Sequence, residues 1–141
     1  MIARALVRRP QLLILDEATS ALDIPNETSL YQQLLGDVLD DRDLIVIDAR
    51  GTGLSEAIDC PDLQRGTTTR DIGVAACAEQ LGDRYESFRT SAIVDDFASV
   101  LDALGYERVE VYGDSYGTFA AQSFAFRHPE RVERIALDSA Y

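Results

Sequence analysis

The sequence predicts an α/β domain: a partial, mostly parallel sheet of about four strands flanked by helices. Three observations carry this. Short, near-continuous apolar runs recur at 11–15, 44–48, 109–112 and 134–137, the pattern of parallel strands covered on both faces. Helical spacing of apolar residues fills the stretches between them. The chain has 141 residues, 46% of them hydrophobic, which is enough to bury a core in one modest domain.

Each element has its own signature. The first nine residues are mildly basic, but no signal-peptide hydrophobic segment follows them, so the cytoplasm is the expected location. The run 11–15 is leucine-rich and strand-like. After Pro25, a helix over 26–35 sets Leu30, Tyr31, Leu34 and Leu35 on one side. The strand 44–48 leads into 51–70, rich in Gly, Thr, Asp and Pro, which reads as a long loop. The stretch 91–104 carries Ile93, Val94, Phe97, Val100, Leu101 and Leu104 at helical spacing, with Gly105 as its stop. The strand 109–112 precedes a helix over 115–126, closed by His128 and Pro129. The strand 134–137 comes last.

Composition excludes some roles. With 25 acidic and 13 basic residues the net charge is −12, which disfavours nucleic acid and anionic membranes as partners. No apolar run approaches the ~20 residues of a membrane span. Cys60 and Cys77 are the two cysteines, and neither a C-x-x-C spacing nor a histidine cluster suggests a metal. Two free thiols fit a cytoplasmic chain; one disulfide fits an oxidising compartment. No cofactor is implied.

The most informative local pattern is Gly113-Asp114-Ser115-Tyr116-Gly117. A serine between glycines at this spacing suits a sharp strand-to-helix turn, where bulky neighbours would clash. Such a nucleophile elbow lifts the Ser115 hydroxyl above the sheet. It leaves the Tyr116 backbone N–H aimed at a developing oxyanion. The alternating run 108–112 before it and the proline-free helix after it supply the required context. Asp114 is expected to make local hydrogen bonds. Asp48 and Arg50 flank a strand end as a possible ion pair, and Asp138 ends the last strand.

From about residue 35 to residue 141 the chain resembles α/β-hydrolases of the tripeptidyl aminopeptidase and proline iminopeptidase group. The matching residues include Asp43-Leu44-Ile45-Val46-Ile47-Asp48-Ala49-Arg50-Gly51-Thr52-Gly53-Leu54-Ser55 and Ala57-Ile58-Asp59-Cys60-Pro61. They continue through Cys77-Ala78-Glu79-Gln80-Leu81-Gly82, Asp95-Asp96-Phe97, the elbow, and His128-Pro129-Glu130-Arg131-Val132. The resemblance implies Ser115 as nucleophile, the Tyr116 N–H as an oxyanion donor, and peptide or ester substrates with a free peptide N-terminus. Members are often secreted, which would favour a Cys60–Cys77 disulfide.

From Met1 to about Tyr31 the chain is similar to the ATP-binding subunit of ABC transporters. Ile2-Ala3-Arg4-Ala5-Leu6 matches the end of the signature helix there. Pro10 to Asp16 and Glu17 matches the Walker B strand, and Ser20 to Asp23 the D-loop. In that family Asp16 would hold Mg²⁺ and Glu17 would polarise the attacking water. Mg-ATP is implied only under this second reading. The chain therefore divides into an ATPase-like segment, 1–34, and a truncated hydrolase core, 35–141. One β-helix-β unit running from 11–15 to 44–48 can serve both patterns, with Ala49 where the ATPase carries a histidine.

Missing parts limit both activities. There is no G-x-x-x-x-G-K-[ST] loop, no lysine at all and no LSGGQ-like signature, so Asp16 and Glu17 have no phosphate cradle. The hydrolase's oxyanion loop should precede the 43–50 strand, where the ATPase-like segment stands. Its triad order is Ser, Asp, His, with both partners expected beyond Tyr141. The single histidine, His128, lies across a helix from Ser115, about 20 Å away at 1.5 Å per residue, whereas proton transfer needs about 3 Å. The expectation is a serine hydrolase fragment using Ser115, inactive or weakly active. The alternative is an ABC transporter ATPase fragment, and the third possibility is a non-catalytic interaction fragment. An open edge at 134–137 predicts self-association.

Overall fold

The computed structural model describes residues 3–6, 10–15, 36 and 42–140, the first two stretches as backbone. The expected helix over 26–35 lies outside them, as do Asp16, Glu17 and Asp23.

Among the described residues, five strands form one sheet. They are β1 (Ala3–Leu6), β2 (Pro10–Leu15), β3 (Asp43–Ile47), β4 (Val109–Asp114) and β5 (Val132–Asp138), in the order β1-β3-β2-β4-β5. β2 is parallel to both β3 and β4, and β4 is parallel to β5. The expected α/β class and mostly parallel sheet are therefore found. The ATPase-like run at 11–15 pairs with the strand that follows it, as a shared β-helix-β unit requires.

One expectation is corrected. The ATPase resemblance places Ile2 to Leu6 at a helix end, but Ala3–Leu6 is a strand, antiparallel to β3 with Ala3 opposite Ile47 and Leu6 opposite Leu44. Pairing satisfies the outer backbone groups of β3, and that tertiary gain overrides a local pattern. The sheet gains a fifth strand as a result.

Among the described residues, three α-helices lie between β3 and β4 in sequence, α1 (Pro61–Gln64), α2 (Arg70–Leu81) and α3 (Thr90–Leu104), and α4 (Tyr116–Arg127) follows β4. The 51–70 stretch is thus not loop throughout, because α1 interrupts it. A 3₁₀ segment, Gly82–Phe88, joins α2 to α3. α3 forms where the spacing predicts. It buries Ile93, Val94, Phe97, Val100 and Leu101 and stops at Gly105, whose φ of 81° is left-handed. The Tyr106 N–H donates to the Leu101 carbonyl at 2.9 Å, closing the turn.

The core is the layer between one sheet face and α3 and α4. Ile45, Val94, Leu101, Val109, Ala121 and Phe124 have essentially no exposure. Because side chains alternate along a strand, Leu44 and Glu110 point to the opposite face. Glu110 is buried there between two guanidinium groups: Arg42 donates to it at 2.8 Å, and Arg134 of β5 donates to its other oxygen. Tyr106 donates to Asp43 at 2.9 Å, and burial, followed by that contact, raises the phenol's pKa.

Cys60 and Cys77 form a disulfide, with Cα atoms 5.5 Å apart. Of the two states open to the sequence, the structure adopts the bridged one. It ties the start of α1 to the middle of α2.

Candidate active site

The site is built at the junction of β4 and α4. β4 ends at Asp114, α4 begins at Tyr116, and Ser115 alone makes the turn with φ 51° and ψ −122°. A positive φ at a non-glycine residue is uncommon and costs energy, so the surrounding contacts must hold it. They do. The Ser115 N–H donates to the Asp138 carbonyl of β5 at 3.3 Å. The Ser115 carbonyl accepts from the Thr118 N–H at 3.0 Å and from the Thr118 hydroxyl at 2.7 Å. Thr118 is fully buried and had no signal in the sequence beyond its position one turn into the helix.

Gly113 shows why the pattern needs glycine. A Cβ there would lie 2.4 Å from the Gly117 carbonyl oxygen and 2.9 Å from the Thr118 nitrogen. Both are backbone atoms of the first turn of α4, so no side-chain movement relieves the clash. The turn is therefore tight, with Ser115 at its apex, β4 before it and α4 after it.

Tyr116 occupies the first turn of α4, where backbone N–H groups have no partner within the helix. Its side chain is tied down separately. The Tyr116 and Thr90 hydroxyls are 2.9 Å apart, and the ring lies 6.1 Å from that of Phe119. Asp114 sits half-buried at the end of β4, in register with Asp138 of β5.

The remaining polar residues serve the frame. Arg50 does not pair with Asp48; its fork binds Asp96 of α3 at 2.5 and 2.6 Å, and its third nitrogen reaches the Ser87 carbonyl at 3.1 Å. Asp48 instead accepts from the Leu54 N–H at 2.8 Å, holding the turn after β3. An open cavity of about 320 Å³ lies beside this pair, lined among others by Ser55, Arg84 and Phe88; Ser115 does not line it.

His128 is at the opposite end of α4. Its Nε2 lies 2.9 Å from Asp95 of α3, whose carboxylate also takes a two-pronged contact from Arg127 at 3.0 and 2.7 Å. Arg127, and then His128, hold the Asp95 carboxyl below its ordinary pKa. The chain's single histidine is thus committed to the α3–α4 contact. Among the described residues, no hydrogen bond to the Ser115 hydroxyl and no three-residue His, Cys, Asp or Glu cluster suited to a metal is found. Nor is any helix among them long and apolar enough to cross a membrane.

Comparison with known proteins agrees with this geometry. The family described as alpha/beta hydrolase fold matches residues 24–141. RutD of Caulobacter sp. (strain K31), named for carbamate hydrolysis, is 29% identical over 114 residues, covering 77% of this chain and 41% of RutD. A Pseudomonas aeruginosa PA01 hydrolase structure superposes with a TM-score of 0.64 at 21% identity, covering 99% of this chain and 42% of that one. That superposition takes in the ATPase-like strand as well. The N-terminal resemblance has its own counterpart. The cyclolysin secretion/processing ATP-binding protein CyaB of Bordetella pertussis is 48% identical over 61 residues, 43% of this chain and 8% of CyaB. The chain thus spans well under half the length of these relatives. With 24–141 matched and the strand–Ser115–helix turn in place, the chain belongs to the alpha/beta hydrolase fold family.

Proposed function

We propose that the chain carries the nucleophile half of a serine hydrolase acting on peptide or ester bonds. The observation that supports this best is Ser115 itself, held at φ 51° on a turn that a Cβ at residue 113 would destroy. In this reading the Ser115 Oγ attacks a substrate carbonyl and loses its proton. The amine or alcohol leaves with a proton, and water then cleaves the acyl-serine. The Tyr116 N–H, unpaired within the helix, stabilises the oxyanion. RutD's name adds carbamates, whose carbonyl undergoes the same attack. The aminopeptidase-like preference rests on the motif resemblance.

Activity of this chain alone is expected to be weak. Its single histidine is bonded to Asp95 at the far end of α4, so Ser115 lacks a histidine base. A fluorophosphonate probe tests the reading, because the serine oxygen displaces fluoride from phosphorus. Slow labelling that disappears in Ser115→Ala is expected. Equal labelling of both proteins would show that Ser115 is not the nucleophile.

The likeness to CyaB supports a second reading, an ABC-type ATPase segment using Asp16, Glu17 and Asp23 with Mg-ATP. Binding of a fluorescent ATP analogue, lost in Asp16→Asn, would favour it. The Cys60–Cys77 bond suits an oxidising compartment.

A further inference from the structure

Two peptide groups flank Ser115, and each is pinned to a different element. The one before it donates its N–H to the Asp138 carbonyl of β5 at 3.3 Å. The one after it joins Ser115 to Tyr116. That single group carries both the Ser115 carbonyl and the Tyr116 N–H, the oxyanion donor proposed for this site. It is trans, so it is planar and its C=O and N–H point in opposite directions. Whatever fixes the carbonyl therefore aims the N–H.

Thr118 fixes that carbonyl twice. Its N–H donates to the oxygen at 3.0 Å, and its hydroxyl donates to the same oxygen at 2.7 Å. The second distance is the usual one for an O–H···O bond. A threonine hydroxyl has one proton to give, and here it goes to the residue at the apex of the turn. Thr118 has no exposure, so water does not compete for that bond.

The bond does more than hold geometry. The peptide C–N has partial double-bond character, so electron density drawn onto the oxygen leaves the nitrogen poorer. Hydrogen bonds to a C=O thus strengthen the attached N–H as a donor, by about 10–30% per bond. Two of them act on one peptide here. An oxyanion forming beside Ser115 would meet an N–H that is aimed and polarised before any reaction begins.

We propose that Thr118 is a positioning residue: its buried hydroxyl acts through the Ser115 carbonyl to aim and polarise the Tyr116 N–H. The proposal rests on Ser115 being the nucleophile. A buried threonine that merely filled space could be exchanged for valine, which has nearly the same shape. The hydroxyl alone separates the two roles.

Thr118→Val removes the hydroxyl, and Thr118→Ser keeps it. By NMR, the Ser115 carbonyl carbon and the Tyr116 amide proton should both move upfield in Thr118→Val and return in Thr118→Ser. In fluorophosphonate labelling, the rate at saturating probe should fall about fivefold in Thr118→Val, with the half-saturating concentration unchanged, and recover in Thr118→Ser. Unmoved resonances in Thr118→Val overturn the proposal. So does a labelling loss that Thr118→Ser fails to recover, or one confined to the half-saturating concentration. A wild-type chain that does not label, or that labels equally as Ser115→Ala, overturns the nucleophile reading instead, and the resonances then decide alone whether Thr118 polarises the Tyr116 peptide. If Thr118→Val does not fold, Thr118→Cys replaces it. Its thiol is a weak donor, so the same upfield shifts are expected in smaller measure, and their absence overturns the proposal.

Discussion

Two neighbouring helices of similar length are held by different physics. α3 buries five apolar side chains against the sheet and α4, whereas α2 buries only Gly73 and exposes Ile72 and Val74. Apolar burial fixes the first. The second is fastened by a covalent bond, Cys60–Cys77, and by polar contacts such as the Gln80 side chain donating to the Asp59 carbonyl at 2.7 Å. The elbow belongs to the first region. A serine at a costly φ needs a rigid setting, and the packed layer supplies one. None of residues 51–88 belongs to the apolar cluster between the sheet and α3 and α4.

This contrast can be broken in several places. The largest loss is expected from Phe124→Ala, which empties a fully buried site between α4 and the sheet. A cost of about 3–5 kcal/mol should appear as a lower urea midpoint with unchanged slope. Gly113→Ala comes next. Its Cβ meets only backbone, so about 3 kcal/mol should be lost, together with any fluorophosphonate labelling of Ser115. Reduction, or the paired change of Cys60 and Cys77 to serine, releases a closed loop of 17 residues. The chain-entropy estimate is about 3 kcal/mol. If the two regions are as distinct as the packing indicates, hydrogen exchange should rise over 60–81 while β4 and α4 stay protected. A uniform rise would refute the distinction.

Smaller effects sharpen the boundary. Arg50→Lys keeps the charge facing Asp96 but loses the planar fork that joins the turn after β3 to α3. About 1–2 kcal/mol is expected from thermal unfolding. The smallest effect concerns Asp95. Contacts from Arg127 and His128 hold its folded pKa below the unfolded value. Its contribution is therefore complete above the ordinary carboxylate range and disappears as pH falls through the lowered folded pKa. Because the side chain is 45% exposed, Asp95→Asn should cost under about 1 kcal/mol at neutral pH, and the difference should vanish in acid.

The sequence was most readable where one requirement dominated. α3 announced itself through helical spacing and Gly105, and four of the five strands through apolar runs. The elbow was legible because steric exclusion at Gly113 leaves few alternatives. β1 was not, because its four residues become a strand only when β3 is beside them. α2 carried no amphipathic stripe, since a helix pinned by a disulfide needs none. The Arg50–Asp96 pair joins residues 46 apart in sequence, and local pattern carries no trace of such a contact. The nearer Asp48 looked the better partner until the turn claimed it for a backbone N–H.

The hydrogen bond from the Ser115 amide to the Asp138 carbonyl has a spectroscopic use. It is the last rung between β4 and β5, and its donor is the Ser115 nitrogen. Fraying of β5 from its C-terminal end must break this rung first. The Ser115 amide resonance is thus a built-in gauge of the sheet's rim. Its chemical shift and exchange rate report, at Ser115, whether β5 is seated on β4.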